Sequence, residues 1–309
     1  IACLLDPISG EPCVPLLEYL GIEPDRLPRL LPANRPAGVL RPEIAERFGF
    51  ATDVPVLPAV HDQYAAALAA GALQDGDILL GVGTAWVLLL NAGAPYPAIW
   101  EHSFVAPHLL PGRFGHLASL NTGGAAFAWA CHTLRLDHES ESDIESRLAS
   151  VEAGSAGVRC RPPRASGVGE ASGAWMHLNL SHGPNHLLRA TVEALALALA
   201  KHLHACRAKG VTPRRLVGAG PALDSATTAQ IIADATDLPL VRLRLSELSA
   251  AGAAMLASRA IQPSRDLQRT ACELLPPSQT IVPGPAAAVY REMLQEVTDP
   301  TPPARRKAC

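Results

Sequence analysis

HDQYAAALAAGALQDGDILLGVGTAWVLLLN, residues 61 to 91, carries two local signals in succession. In the first, Asp62 follows the apolar run VPVLPAV (54 to 60) and precedes an alanine-rich segment, Tyr64 to Gly71, of high helix propensity that ends in glycine. The expectation is a carboxylate at a strand-to-helix junction. In the second, DILLGVGT (77 to 84) turns directly into WVLLLN (86 to 91), which reads as two apolar strands joined through a glycine-threonine turn. Such a turn exposes backbone N–H groups and a hydroxyl, the donors a phosphate needs. A carboxylate beside an alcohol can take its proton while a glycine-rich turn holds a polyphosphate, so the pair points to phosphoryl transfer to a hydroxyl. Neither half is specific alone, because G-x-G-T between strands is commonly only a tight turn.

Outward from this stretch, ten prolines cut residues 1 to 60 into short pieces, with helices expected at Val14 to Leu20, stopped by Gly21, and at Pro42 to Phe48, stopped by Gly49. On the other side, Phe114 to Leu120 reads as a third short strand, and Asn121-Thr-Gly-Gly124 opens a helix from Ala125 to Leu134. Asn or Thr before glycines there either offers free N–H donors to an anion or is an ordinary N-cap. An acidic helix is expected around Asp143 to Val151, then a loop from Gly154 to Gly173 whose Arg159, Arg161 and Arg164 either meet phosphates or are simply solvated. The longest helix candidate, His186 to Cys206, carries Leu187, Leu188, Val192, Leu195, Leu199 and Leu203 at helical spacing. Of His202, His204 and Cys206, only His202 and Cys206 share a face, a poor start for a zinc site.

Arg215 to Gly220 reads as a strand ending in glycines before a helix at Ser225 to Thr236, a turn of the phosphate- or nucleotide-binding kind. A strand at Leu238 to Leu245, a helix at Ser246 to Met255 in which Gly252 serves packing, a last helix at Ala286 to Val297 and a frayed tail from 299 complete the chain. Helix and strand signals that alternate from residue 62 imply an α/β layer architecture.

At 309 residues, with 48% hydrophobic and 18% charged side chains, the chain is ample for a buried core. A net charge of −3 and 4% aromatic residues offer neither a basic face nor stacking platforms for nucleic acid. Seven cysteines without a C-x-x-C pattern read as reduced thiols, as in cytoplasm. The longest apolar run, Ile78 to Leu90, is interrupted by two glycines and a threonine and is too short for a bilayer.

Several blocks, in order, resemble the FGGY family of carbohydrate kinases, with xylulokinase-like members nearest: LLDPISGE (4 to 11), LLEYLGIEPDRLPRLLPANRPAGVL (16 to 40), HDQYAAALAAGAL (61 to 73), GDILLGVGTAWVLL (76 to 89), NTGGAAFAWA (121 to 130), HLLRATVEALA (186 to 196), GAGPALDSATTAQIIADATDLPL (218 to 240) and SELSAAGAAMLA (246 to 257). The resemblance implies an α/β fold of the actin-like ATPase (ribonuclease-H-like) kind, a mixed sheet flanked by helices. It reads residues 1 to 60 as the end of the family's N-terminal lobe, 61 to 298 as its C-terminal lobe and 299 to 309 as a tail. ATP and Mg2+ are the implied cofactors, with a ketose or polyol as substrate. Asp62 corresponds to the general base, Gln63 to a sugar-hydroxyl contact and His61 to an orienter. Gly83 and Thr84 correspond to the second phosphate loop, Gly124 to a nucleotide contact at a helix start, and Gly220 with Asp224 to the adenosine side. No metal ligand is assigned, because the family's metal-coordinating aspartate belongs to the first lobe.

Departures from the family are also visible. No D-x-G-T loop occurs, so most of the first lobe is missing from the resemblance, and the chain alone is expected to phosphorylate poorly. VRCRPPRA (158 to 165) replaces an apolar strand and its following loop, His177 stands where the family favours glycine, and Ala128 stands where it can carry glutamine. An alternative register puts Pro221 in a glycine position, with the loss of an N–H donor. The second reading is therefore a non-catalytic nucleotide-binding or interaction module, against which retention of His61-Asp62-Gln63 argues. The sugar and the oligomeric state, homo-oligomer included, are left open.

Overall fold

In the computed structural model, prolines and glycines punctuate the start of the chain. Residues 4–99, 103–120, 122–163, 172–245, 247–262, 264 and 266–298 are described. Helices α1 (Val14–Leu20) and α2 (Pro42–Phe48) end where Gly21 and Gly49 turn left-handed, at φ +65° and +69°, a conformation without Cβ cost only for glycine. Strands β1 (Gly38–Val39) and β2 (Pro55–Val56) pair antiparallel, with Gly38 opposite Val56. The expected strand over Val54 to Val60 reduces to those two residues of β2. Pro55 and Pro58 lack the N–H a longer ladder needs, so Asp62 follows a loop rather than a strand.

Thereafter the order is α3 (Asp62–Ala69), β3 (Asp77–Val82), β4 (Trp86–Ala92), β5 (Phe104–Pro107), β6 (Phe114–Ser119), α4 (Gly124–Thr133), α5 (Glu141–Ala149), β7 (Arg159–Arg161), β8 (Ala174–Met176), α6 (Pro184–Ala208), β9 (Arg215–Ala219), α7 (Ala226–Thr236), β10 (Leu240–Leu243), α8 (Leu248–Ile261), α9 (Leu267–Glu273), β11 (Ser278–Ile281) and α10 (Ala287–Thr298). Seven strands hydrogen-bond in the order β11-β10-β9-β3-β4-β6-β5. β10 runs parallel to β9, with Leu240 opposite Leu216, whereas β5 runs antiparallel to β6, with Phe104 opposite Leu117. The sheet is mixed. Five of the six residues of β3 are buried, as expected of a strand covered on both faces.

The chain divides into two compact units. One comprises Ile1–Leu79, Leu88–Ala118 and Leu243–Pro277. There α3, buried from Tyr64 to Ala69, packs directly on α8, and a Cβ at Gly252 would lie 1.9 Å from the Ala65 carbonyl oxygen. Gly252 is thus the packing residue the small-residue pattern suggested. The other unit comprises Leu80–Val87, Ser119–Arg242 and Ser278–Cys309. Its axis is α6, which buries Leu188, Val192, Leu195, Leu199 and Leu203 and packs on α4, α5, α7 and α10. Glu193, 1% exposed, receives the Gly154 N–H at 2.9 Å, the Ser155 hydroxyl at 2.8 Å, the Tyr290 hydroxyl at 2.9 Å and Arg189 Nε at 3.0 Å. Arg189 also donates to the Leu148 carbonyl at 2.8 Å. One satisfied charge pair thus joins α5, α6, α10 and the turn at 154–157.

The acidic helix begins at Glu141, two residues early, because Ser140 and Asp143 form a reciprocal capping box. The region from Gly154 to Gly173 is not all loop, since β7 pairs with β8, with Cys160 opposite Trp175. β5, α9 and β11 had no sequence signal strong enough to be read. Asn121, Arg164, Ser246 and the tail lie outside the described residues.

Candidate functional site

Asp62 is the first residue of α3 and His61 its N-cap, in extended conformation at φ −68°. Asp62 Oδ1 accepts the Gln63 N–H at 2.7 Å and lies 3.0 Å from His61 Nδ1. The Asp62 side chain is 66% exposed, and Oδ2 has no partner among the described residues. Tyr64, one turn on from His61, is buried and donates its hydroxyl to the Gly115 carbonyl at 3.0 Å. Its ring meets His61 edge-on, 5.8 Å between centroids at 77°, and lies 5.5 Å from His108. Burial pushes the His108 imidazole down to about 4, with Arg113 adding to the shift, and His108 Nδ1 accepts the Leu110 N–H at 3.2 Å. A carboxylate held through one oxygen and open to solvent at the other is suited to receive a proton.

The second group of expected residues lies in the other unit, where β3, the turn at 83–85 and two helix starts converge. The Thr84 hydroxyl is exposed and has no partner among the described residues. The Gly83 carbonyl accepts the Gly124 N–H at 3.0 Å, and the Thr84 carbonyl accepts the Ala125 N–H at 3.1 Å. A Cβ at Gly124 would lie 2.8 Å from that Gly83 oxygen. Gly220, at φ +128°, packs on the same strand end, where a Cβ would lie 3.0 Å from Val82 Cγ2 and 3.2 Å from its carbonyl oxygen. Gly83, Thr84, Gly124 and Gly220 are therefore neighbours, and the exposed Asp224 follows on the short 3₁₀ turn Pro221–Leu223.

Two anion-binding expectations are corrected. The start of α4 does not present free N–H groups, because the carbonyls of Gly83 and Thr84 occupy the first two, and Gly123, without a capping side chain, is the N-cap. The start of α7 is likewise filled. Glu145 of α5 accepts the Ser225 hydroxyl at 2.5 Å, the Thr227 N–H at 3.0 Å and the Thr227 hydroxyl at 2.7 Å. Burial alone would raise the Glu145 carboxyl, but these hydrogen bonds and nearby Arg242 outweigh it and lower the group below its ordinary range. Glu145 was not singled out in the sequence; the only signal was Ser225-x-Thr227 at a helix start, which calls for an acceptor without naming it.

The other candidates fare differently. Arg159 is engaged with Glu296 at 3.2 Å and with the Gly154 carbonyl at 3.3 Å, while Arg161 lies 3.5 Å from Ser172. His202 Nε2 is 3.7 Å from Cys206 Sγ, a side-chain contact, and no third ligand joins them among the described residues. His177 takes φ +62°, the left-handed conformation in which glycine is at ease. Ala128 is exposed on α4. A groove of about 470 Å³ between β7, α6 and α10 is lined by Cys160, Met176, Leu197 and Met293 and edged by Lys201; Arg159, Arg161 and His177 also line it, whereas His61, Asp62, Gln63, Gly83, Thr84, Gly124, Gly220 and Asp224 do not. No helix among the described residues is long and apolar enough to cross a membrane.

Comparisons with known proteins bear on the family and the fold. The C-terminal domain of the FGGY family of carbohydrate kinases matches residues 80–261, and its N-terminal domain matches residues 13–69. The xylulose kinase of Escherichia coli (strain K12) is 28% identical over 276 residues, which cover 84% of this chain and 54% of that protein. A glycerol kinase of Trichlorobacter lovleyi is 31% identical over 270 residues, 82% of this chain and 52% of that protein. The crystal structure of xylulose kinase from Rhodospirillum rubrum superposes with a TM-score of 0.82 at 28% identity, covering 93% of this chain and 59% of that one. The chain spans about half the length of the curated relatives it matches. Its mixed sheet flanked by helices is the actin-like ATPase fold of those kinases. With the family's C-terminal domain matched over more than half of its length, the chain belongs to the FGGY family of carbohydrate kinases.

Proposed function

We propose that this chain is part of an ATP-dependent carbohydrate kinase that transfers a γ-phosphoryl group to a hydroxyl of a ketose or polyol, a phosphotransferase with an alcohol as acceptor. Residues 1–60 are read as the end of the N-terminal lobe, 61–298 as the C-terminal lobe and 299–309 as a tail. Asp62 is the general base: Oδ2 takes the proton of the attacking hydroxyl while Oδ1 stays tied to the Gln63 N–H and His61. Gln63 contacts the sugar, and His61 orients the base.

The nucleotide reading rests on the glycine cluster of the second unit. Gly124 and Gly220 leave backbone where a Cβ would collide or crowd, and the exposed turn at Gly83 and Thr84 and the exposed Asp224 add polar groups in the same unit. Such a surface fits a polyphosphate against the 83–84 turn, with the nucleoside toward Gly220 and Asp224. Bound ATP with Mg2+ supplies the phosphoryl group and neutralises the charge that develops on its transfer.

The observation that carries the proposal is the exposed, half-engaged Asp62 in one unit, in a chain of this family whose other unit holds the glycine cluster. The test compares calorimetric ATP binding with sugar-dependent ADP release by the natural gene product, for ketoses and polyols, before and after Asp62→Asn. Collapsed turnover with intact nucleotide binding is expected. Nucleotide binding with no sugar-dependent turnover, and an Asp62→Asn variant silent in both assays, would instead favour a non-catalytic nucleotide-binding module, the reading that Pro221 at the nucleotide turn supports.

A further inference from the structure

Two arrangements compete at His61 Nδ1. As a lone pair it accepts the Gln63 N–H at 3.2 Å, but it then faces Asp62 Oδ1 at 3.0 Å, acceptor against acceptor. As an N–H it donates to that oxygen, and the Gln63 amide loses nothing, because Asp62 Oδ1 already accepts it at the shorter 2.7 Å. The second arrangement is the attractive one, and it requires the imidazole to be held in this orientation. The group that holds it is buried behind it. Tyr64 meets the His61 ring in a T-shaped contact, is backed by His108 and is fixed by its hydroxyl on the Gly115 carbonyl of β6. The fit leaves no slack, since a Cβ at Gly115 would lie 2.5 Å from the Tyr64 ring.

We propose that Tyr64 is a positioning residue for Asp62, acting through His61: its ring, anchored on β6, holds the imidazole so that Nδ1–H stays on Asp62 Oδ1 and Oδ2 is left to receive the substrate proton. This rests on the reading of Asp62 as the base. The side chain touches no reacting atom, and its contribution is orientation.

The test uses the natural gene product with Tyr64→Leu, Tyr64→Phe and Asp62→Asn, read by sugar kinetics and by the histidine side-chain 1H–15N spectrum, with His61→Asn to assign the His61 signals. In the wild type, His61 is expected as the Nδ1–H tautomer. Tyr64→Leu is expected to lower kcat about ten-fold, to leave KM for the sugar within about two-fold, and to mix the His61 tautomers. Tyr64→Phe, which keeps the ring, is expected to restore most of both. Tyr64→Met carries the same test should the leucine variant not fold. An unchanged kcat in the leucine or methionine variant overturns the proposal, as does a fall in kcat with an unchanged His61 tautomer, or an equal loss in the phenylalanine variant. If Asp62→Asn turns over normally, the base reading fails by itself, and the tautomer change in the Tyr64 variants still decides whether Tyr64 governs His61.

Discussion

Asp62 and Glu193 are both helical carboxylates, one at the start of α3 and one in the middle of α6. Glu193 is 1% exposed and receives four donors, from Gly154, Ser155, Arg189 and Tyr290. Asp62 is 66% exposed at its side chain and engages one oxygen. A charge taken from water is tolerated only when its lone pairs are filled and a countercharge is near, so Glu193 has no capacity left for chemistry and the fold depends on it. Asp62 has the reverse balance. Its removal leaves no buried donor stranded, so the fold gives little reason for its presence, and its open oxygen supplies one.

The contrast breaks most visibly at Asp62 itself. Asp62→Asn keeps shape and the Gln63 contact but removes the proton acceptor, and sugar-dependent kcat is expected to fall about 10²- to 10⁴-fold, while the urea midpoint shifts by no more than about 0.5 kcal/mol of stability. Substantial unfolding of this variant would mean that Asp62 is structural after all. Glu193→Ala should do the opposite and cost about 3–5 kcal/mol, because the Arg189 guanidinium stays buried without its countercharge. Turnover per folded molecule should hold. Equilibrium urea unfolding that matches the wild type would erase the distinction. Tyr290→Phe sharpens it further, since only the hydroxyl goes, with its 2.9 Å donation to Glu193 and the 3.4 Å hydrogen bond it accepts from Arg189, and a loss of about 1–3 kcal/mol is expected.

What could be read in the sequence follows the range of the forces involved. α1 and α2 were legible to the residue, because Pro or Val at the start and Gly21 or Gly49 at the end act locally. α6 was legible from its leucine period, and Gly252 as a packing glycine from the small residues around it. β2 was overread because apolar content stood in for hydrogen-bonding capacity that Pro55 and Pro58 lack. β5 and β11 were missed, and their residues are largely exposed or half-buried, so no apolar run marks them. The candidate site divides the same way. Gly83, Thr84 and Asp62 stand out as types in a pattern. The capping of α4 by the 83–84 carbonyls, the Glu145 contact with α7 and the Tyr64–Gly115 contact join residues distant in sequence, and only the folded chain shows them.

Glu145 lies between the two extremes, half-buried and fully engaged, and it turns the comparison into a pH experiment. Its partners are the hydroxyls of Ser225 and Thr227 and the Thr227 N–H, all donors that favour the ionised form, with Arg242 adding attraction. Burial works against them and is outweighed, so the folded-state pKa lies below the unfolded one. Stability from this contact is therefore present in full above the unfolded glutamate pKa and is lost as pH falls through the lower, folded value. Glu145→Gln keeps an acceptor oxygen but no charge, so the wild type should melt slightly higher than the variant at neutral pH, and the gap should close on acidification through the carboxylate range. A gap that stays constant with pH would mean the contact depends on shape rather than charge. A gap that widens on acidification would mean Glu145 is held protonated, and the start of α7 would then lack the anion this structure gives it.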